Sequence, residues 1–299
     1  VATPTAHKAR QGRGPQAKRP SGAAARAAAA KRQRVRNALV MTGLVLVLLA
    51  GLVVAKIAAD HHSSSSSTAA PTTPAPASVV ATVSKVPTSE LATAASSSPT
   101  GLVPVSGAAV TSNGKPLVLY VGAEYCPFCA AERWAMITAL SKFGTFHNLG
   151  ATHSSSVDVY PNTATFSFHG ATYTSPYLSF SGVETETNQV QGNSYAPLDT
   201  LTANQQKLLQ TYDGPPAIPS SSAGAIPFIL FGGKAVQSGA SFSPSVLQGK
   251  SMSQIATALQ DPSSSVAKSV NATAGAFVKQ LCTLTGDKPA NVCSAFAKT

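Results

Sequence analysis

Pro116-Leu117-Val118-Leu119-Tyr120-Val121-Gly122-Ala123-Glu124-Tyr125-Cys126-Pro127-Phe128-Cys129 is the stretch whose reading decides the fold. Residues 116–122 form a short, continuous apolar run with β-branched members, the pattern of a strand covered on both faces. Pro127 suits the first turn of a helix, and Phe128, Ala131, Trp134, Ala135, Ile137 and Leu140 supply its apolar cover as far as Gly144. Two thiols spaced i, i+3 in that first turn are close enough to bond. The helix N-terminus offers unpaired N–H groups and the positive end of the dipole, so Cys126 reads as the attacking thiolate and Cys129 as the resolving thiol. A zinc site would want a second close cysteine pair, whereas Cys282 and Cys293 lie far along the chain with ten residues between them. No metal and no cofactor is therefore expected. An inert structural bridge is the alternative use of the CPFC pair.

Outward from this centre, strand-like segments fall at 163–168, 177–183, 228–231 and 235–237, the last two joined by Gly232-Gly233-Lys234. Helices are expected at 87–95, after the capping boxes Thr202/Gln205 and Ser251/Gln254, and over 266–281 with a partner at 289–296. Alternating strands and helices predict an α/β sheet. Cys282 and Cys293 bracket a loop and read as a disulfide that pins the C-terminus, with an electron relay to the CPFC pair as the alternative. Glu184 and Glu186, two apart on a strand, read as a solvated face. His147, His153 and His169 lack ligand-like spacing, and Asn271-Ala272-Thr273 is a glycosylation sequon inside a helical segment.

The formal charge of +11 over 299 residues invites a nucleic-acid reading, but its distribution argues against one. Residues 1–36 hold three Lys, seven Arg and no acid, leaving twelve basic residues against eleven acidic ones in the remainder. The basic tail directly precedes ALVMTGLVLVLLAGLVVA, eighteen residues without a charge. This predicts a transmembrane helix over 37–59 with its N-terminus cytoplasmic and the lipid bilayer as the partner of the tail. Residues 60–78 read as a Ser/Thr/Pro/Ala linker and 79–299 as an extracytoplasmic domain.

The blocks LYVGAEYCPFCAAERWAMITALSKFGTF, VDVYPNTATFSF, YLSFSGVET, IPFILFGGK and LCTLTGDKPANVC together resemble a thioredoxin-like "domain of unknown function" family of actinobacterial and archaeal proteins, many membrane-anchored, with a CPxC motif. The resemblance implies a thioredoxin-like fold with a helical and strand insertion, and a proline, Pro227, opposite the dithiol. Ile226, Pro227 and Tyr125 would then meet a substrate chain. The buried aspartate that in thioredoxin helps move the resolving cysteine's proton would fall at Tyr120, so either Glu124, Glu132 or a water would take over that proton, or exchange would be slower and the domain less able as a general reductant. Glu132 and Arg133 alternatively form a surface charge pair, and Arg133, the only Arg beyond the leader, would lower a thiolate pKa.

The function expected is thiol–disulfide exchange with exported protein thiols and disulfides, supported by a membrane redox partner and with no nucleic acid involved. The alternatives are a non-catalytic binding module with structural disulfides, and a chaperone for copper or haem-maturation thiols, which the lack of Met and His clusters disfavours.

Overall fold

A central apolar strand needs neighbours on both edges and cover on both faces, and the computed structural model, which describes residues 73–96 and 101–297, supplies both. Its helices are α1 (Ala77–Ser84), α2 (Thr88–Ala95), α3 (Pro127–Leu140), α4 (Ala203–Tyr212), α5 (Met252–Ala258), α6 (Ser265–Thr285) and α7 (Ala290–Cys293). Its strands are β1 (Val103–Pro104), β2 (Thr111–Ser112), β3 (Lys115–Gly122), β4 (Thr145–His147), β5 (Gly150–His153), β6 (Ala164–Ser167), β7 (Thr172–Thr174), β8 (Ser179–Glu184), β9 (Glu186–Gln191), β10 (Ser194–Pro197), β11 (Phe228–Phe231) and β12 (Ala235–Ser238).

The main sheet is mixed and runs β1-β12-β11-β3-β2, with β8 also paired to β3. β3 is parallel to β8 and antiparallel to β11. Alternation along β3 sends Val118 and Tyr120 into the larger core and Leu119 and Val121 into a smaller one. The larger core contains Trp134 of α3 and Phe277 of α6; the smaller one is closed by Ile218 with Leu208 and Leu209 of α4. Gly275 lets α2 lie close on α6, because a Cβ there would run into the Leu91 carbonyl.

The predicted helix and strand positions recur with shifted ends, and both capping boxes form. Between α3 and β11 the chain makes the two-stranded ribbons β4/β7, β5/β6 and β9/β10. The β9/β10 ribbon turns at Gly192-Asn193, Gly192 having φ 61°. Residues 73–78, assigned to the linker, are already part of the fold: Pro74 bridges Gly150, and α1 begins at Ala77. The Asn271 sequon is buried in α6, its Nδ2 donating to the Leu259 carbonyl at 3.0 Å. Cys282 and Cys293 form a disulfide between α6 and α7, closing a short loop, a crosslink worth about 3 kcal/mol.

The basic tail 1–36, the membrane span expected over 37–59 and the linker up to residue 72 lie outside the described residues. Among those described, no helix is long and apolar enough to cross a membrane.

Candidate functional site

Three strand ends converge on the CPFC turn. The β3–β11 register sets Phe228 opposite Val121, so Ile226-Pro227, joined by a cis peptide bond, arrives beside the end of β3. The parallel β3–β8 register sets Glu184 opposite Gly122 on the other edge. From there the chain turns into α3 with Cys126 as its N-cap.

Cys126 Sγ accepts a hydrogen bond from the Cys129 backbone N–H at 3.3 Å and lies 3.8 Å from the Ile226 carbonyl oxygen. Both cysteines are free thiols and buried, Cys126 at 5% exposure and Cys129 at 0%. Their acidities diverge. The Cys129 thiol, then the Cys129 backbone N–H and the charge of Arg133, hold Cys126 below its ordinary value against the opposing push of burial. Burial, followed by the interaction with Cys126, pushes Cys129 well above its ordinary value.

Beneath the thiols lies a charge pair that overturns two expectations. Arg133 is fully buried and bidentate to Glu184, with Nε–Oε1 at 2.8 Å and Nη2–Oε2 at 2.6 Å; Nη2 also donates to the Ala123 carbonyl at 2.7 Å. The surface pair Glu132/Arg133 does not exist, because every residue of α3 except Phe128 is buried and each of the two finds its own partner elsewhere. The solvated Glu184/Glu186 face does not exist either. Glu184 ends β8 at 0% exposure, and Glu186 belongs to the next strand. Burial pushes the Glu184 carboxyl up while the Arg133 guanidinium opposes that push, and Glu184 in turn keeps Arg133 firmly protonated. Tyr120 packs edge-on against Phe168, and the Arg133 guanidinium lies 5.8 Å from its ring centroid.

Glu132 makes its hydrogen bonds away from the dithiol, accepting from Gln237 Nε2 (3.2 Å), Ser241 Oγ (2.9 Å) and Ser241 N (2.9 Å). Burial raises its pKa from 4.5 to about 7 in spite of those bonds. The folded protein therefore holds this proton more tightly than the unfolded chain does. The associated stability is fully present below about pH 4.5 and is lost as pH rises to about 7, a fall of up to about 3 kcal/mol. Denaturation midpoints measured between pH 4.5 and 8 are expected to show this fall in the wild type and to lack it in Glu132→Gln; parallel curves for the two would contradict it.

Glu124, largely buried, lines a polar cavity of about 300 Å3 with His153, His169 and Asn188. His169 is more than a loop residue: its Nδ1 lies 2.6 Å from Asp199 Oδ1, and Asp199 Oδ2 accepts from the Glu184 backbone N–H. Among the described residues no group of three or more His, Cys, Asp or Glu could hold a metal ion. Tyr125 stacks on Tyr195 of β10 at 4.0 Å between centroids, and burial pushes its hydroxyl up to about 12. Phe128 meets Tyr160 edge-on, and the loop bearing Tyr160 is tied down by Ser155 N donating to the Tyr125 carbonyl at 2.8 Å.

Residues 101–283 match the family model described as Domain of unknown function (DUF929). The chain belongs to that family. No curated protein and no solved structure matches it. The DUF929 match takes in the CPFC pair, Glu184, Ile226-Pro227 and Cys282, and it ends before Cys293.

The site residues that sequence reasoning missed are Glu184, Tyr195, Tyr160 and Ser241. Arg133, alone beyond the leader and one turn past Cys129, was a signal that a buried acid must exist to pair it. The other three carry no local mark, since they reach the site only through strand pairing and loop placement.

Proposed function

We propose that this DUF929 protein is a thiol–disulfide exchange protein built on a thioredoxin-like domain, with Cys126 attacking and Cys129 resolving. The observation that carries the reading is the asymmetry at one helix N-terminus. Cys126 Sγ accepts a backbone N–H and has its pKa lowered, which favours the thiolate, beside a fully buried partner thiol whose pKa is pushed well up. The thioredoxin-like reading draws support from the central β3 with its parallel neighbour β8, and from the antiparallel hairpin headed by Ile226-Pro227 that faces Cys126.

The substrate class is polypeptide. The exposed large hydrophobic residues among those described are Phe128, Val157, Val159 and Val190. Phe128 lies within the motif, Val157 and Val159 sit on the loop tied to Tyr125, and Val190 pairs in register with Tyr195, which stacks on Tyr125. Apolar surface gathered about a thiol suits an unfolded or extended chain better than a small polar thiol. With the span read at 37–59, the domain would face outward and act on exported proteins, and a membrane redox partner would reset the dithiol.

The test is redox equilibration of the full chain in detergent, with mass-spectrometric mapping of cysteine pairing. The CPFC pair is expected to oxidise and reduce reversibly and to exchange onto a test disulfide at neutral pH, while Cys282-Cys293 stays bonded. A CPFC bridge that resists reducing buffer and transfers nothing would leave the binding-module reading in its place.

A further inference from the structure

Two hydrogen-bond donors beneath Cys129 have no partner. Tyr120 Oη and Arg133 Nη1 are both buried and unbonded. Both belong to fully buried side chains, in a fold where nearly every such donor is satisfied. Their surroundings locate them. A Cβ at Gly122 would collide with the Tyr120 hydroxyl and come within 3.0 Å of Cys129 Sγ, so the hydroxyl and the thiol lie over the same glycine. Arg133 interacts electrostatically with Cys126, Cys129 and Tyr120. Glu184 occupies Nε and Nη2 of Arg133 and leaves Nη1 free.

We propose that Tyr120 Oη–H and Arg133 Nη1–H, the guanidinium held in place by Glu184, form a donor cradle that stabilises the Cys129 thiolate while the mixed disulfide is resolved. The inference rests on the exchange reading above and deepens it. Thioredoxin's aspartate would accept a proton at this place; a neutral tyrosine hydroxyl and a charged guanidinium have no basic site to take one up, but each offers a donor. Burial keeps the Tyr120 hydroxyl protonated and Glu184 keeps Arg133 charged, so the cradle acts on the thiolate and does not take the thiol's proton.

The steps balance. The Cys126 thiolate attacks a substrate disulfide, forming one S–S bond and releasing one substrate thiolate. That thiolate takes up the Cys129 proton, directly or through water. The Cys129 thiolate, stabilised by the two donors, attacks Cys126 Sγ and expels the second substrate sulfur as a thiolate. Two electrons pass from the CPFC pair to the substrate, and a dithiol reductant returns them. The titratable or charged groups around Cys129 are Cys126, Tyr120, Tyr125, Arg133 and Glu184, with Glu124 acting on Glu184 from beyond.

Tyr120→Phe is the sharpest test. It removes a hydroxyl that bonds to nothing and keeps the ring that packs on Phe168, so the fold should survive. With glutathione disulfide as the probe, quenched-flow mass spectrometry on the full chain separates formation of the Cys126–glutathione adduct from its resolution. The variant is expected to resolve the adduct about tenfold more slowly relative to its formation, as befits a lost hydrogen bond to a charged group. The midpoint of the pH–rate profile for resolution should move up as well. Resolution at the wild-type rate, or slower resolution with an unmoved pH midpoint, would overturn the proposal. Failure of the wild type to form the adduct at all would instead remove the exchange reading beneath it.

Discussion

Replacing Glu184 by Ala is expected to destabilise the fold by about 3–5 kcal/mol, because it leaves the guanidinium of Arg133 buried and uncompensated. Both partners have 0% side-chain exposure. Glu184 also accepts the Phe168 backbone N–H at 3.2 Å, so that donor would lose a partner in the same variant. The comparison that isolates the ion pair is the double variant Arg133→Met/Glu184→Leu, which removes both charges and keeps comparable volume. It should recover much of the loss, since the cost of desolvating both charges offsets much of a buried pair's attraction. Denaturant unfolding of the three chains measures both effects. A Glu184→Ala loss below about 1 kcal/mol would mean that Arg133 finds another partner or water.

This pair also marks where sequence reading stopped. The central strand, the CPFC helix and the 228–237 hairpin were legible because each is announced locally, by an apolar run, a proline at the first helical turn, or glycines able to take the positive φ of a turn. The role of Glu184 was not. Alternation along 177–186 says only that Glu184 and Glu186 share a face, and an acid on a strand is usually solvated. Its burial follows from the parallel register with β3 and from an arginine 51 residues earlier in the chain. The β9/β10 ribbon shows the opposite failure: Gly192-Asn193 is a recognised hairpin signal, but β9, rich in Thr, Asn and Gln, and the four-residue β10 gave no apolar alternation to flag it. The last residues of the Ser/Thr/Pro/Ala stretch were likewise misread because their order comes from pairing with Gly150 and Leu149, and their composition gives no sign of it.

Cys126→Ser is expected to abolish disulfide exchange, lowering its rate by at least about a thousandfold, whereas Cys129→Ala should form mixed disulfides and fail to release them. The proposed order of attack rests on position. Cys126 stands at the helix N-terminus, faces the Ile226 carbonyl and is the less buried thiol; Cys129 is fully buried within the first turn, placed to attack Cys126 Sγ once a mixed disulfide has formed there. The serine variant has a built-in structural control. Serine is among the best N-cap residues, so its Oγ can accept the Cys129 N–H in place of Sγ and the helix keeps its cap. A loss of activity therefore reports on the nucleophile and not on the fold. In cells, Cys129→Ala should accumulate adducts through Cys126 with exported polypeptides that carry apolar segments, the class that the exposed Phe128, Val157 and Val159 would hold. Adducts found on Cys129 in a Cys126→Ala chain, with none on Cys126 in the reciprocal variant, would reverse the assignment and require the first turn of α3 to open before reaction.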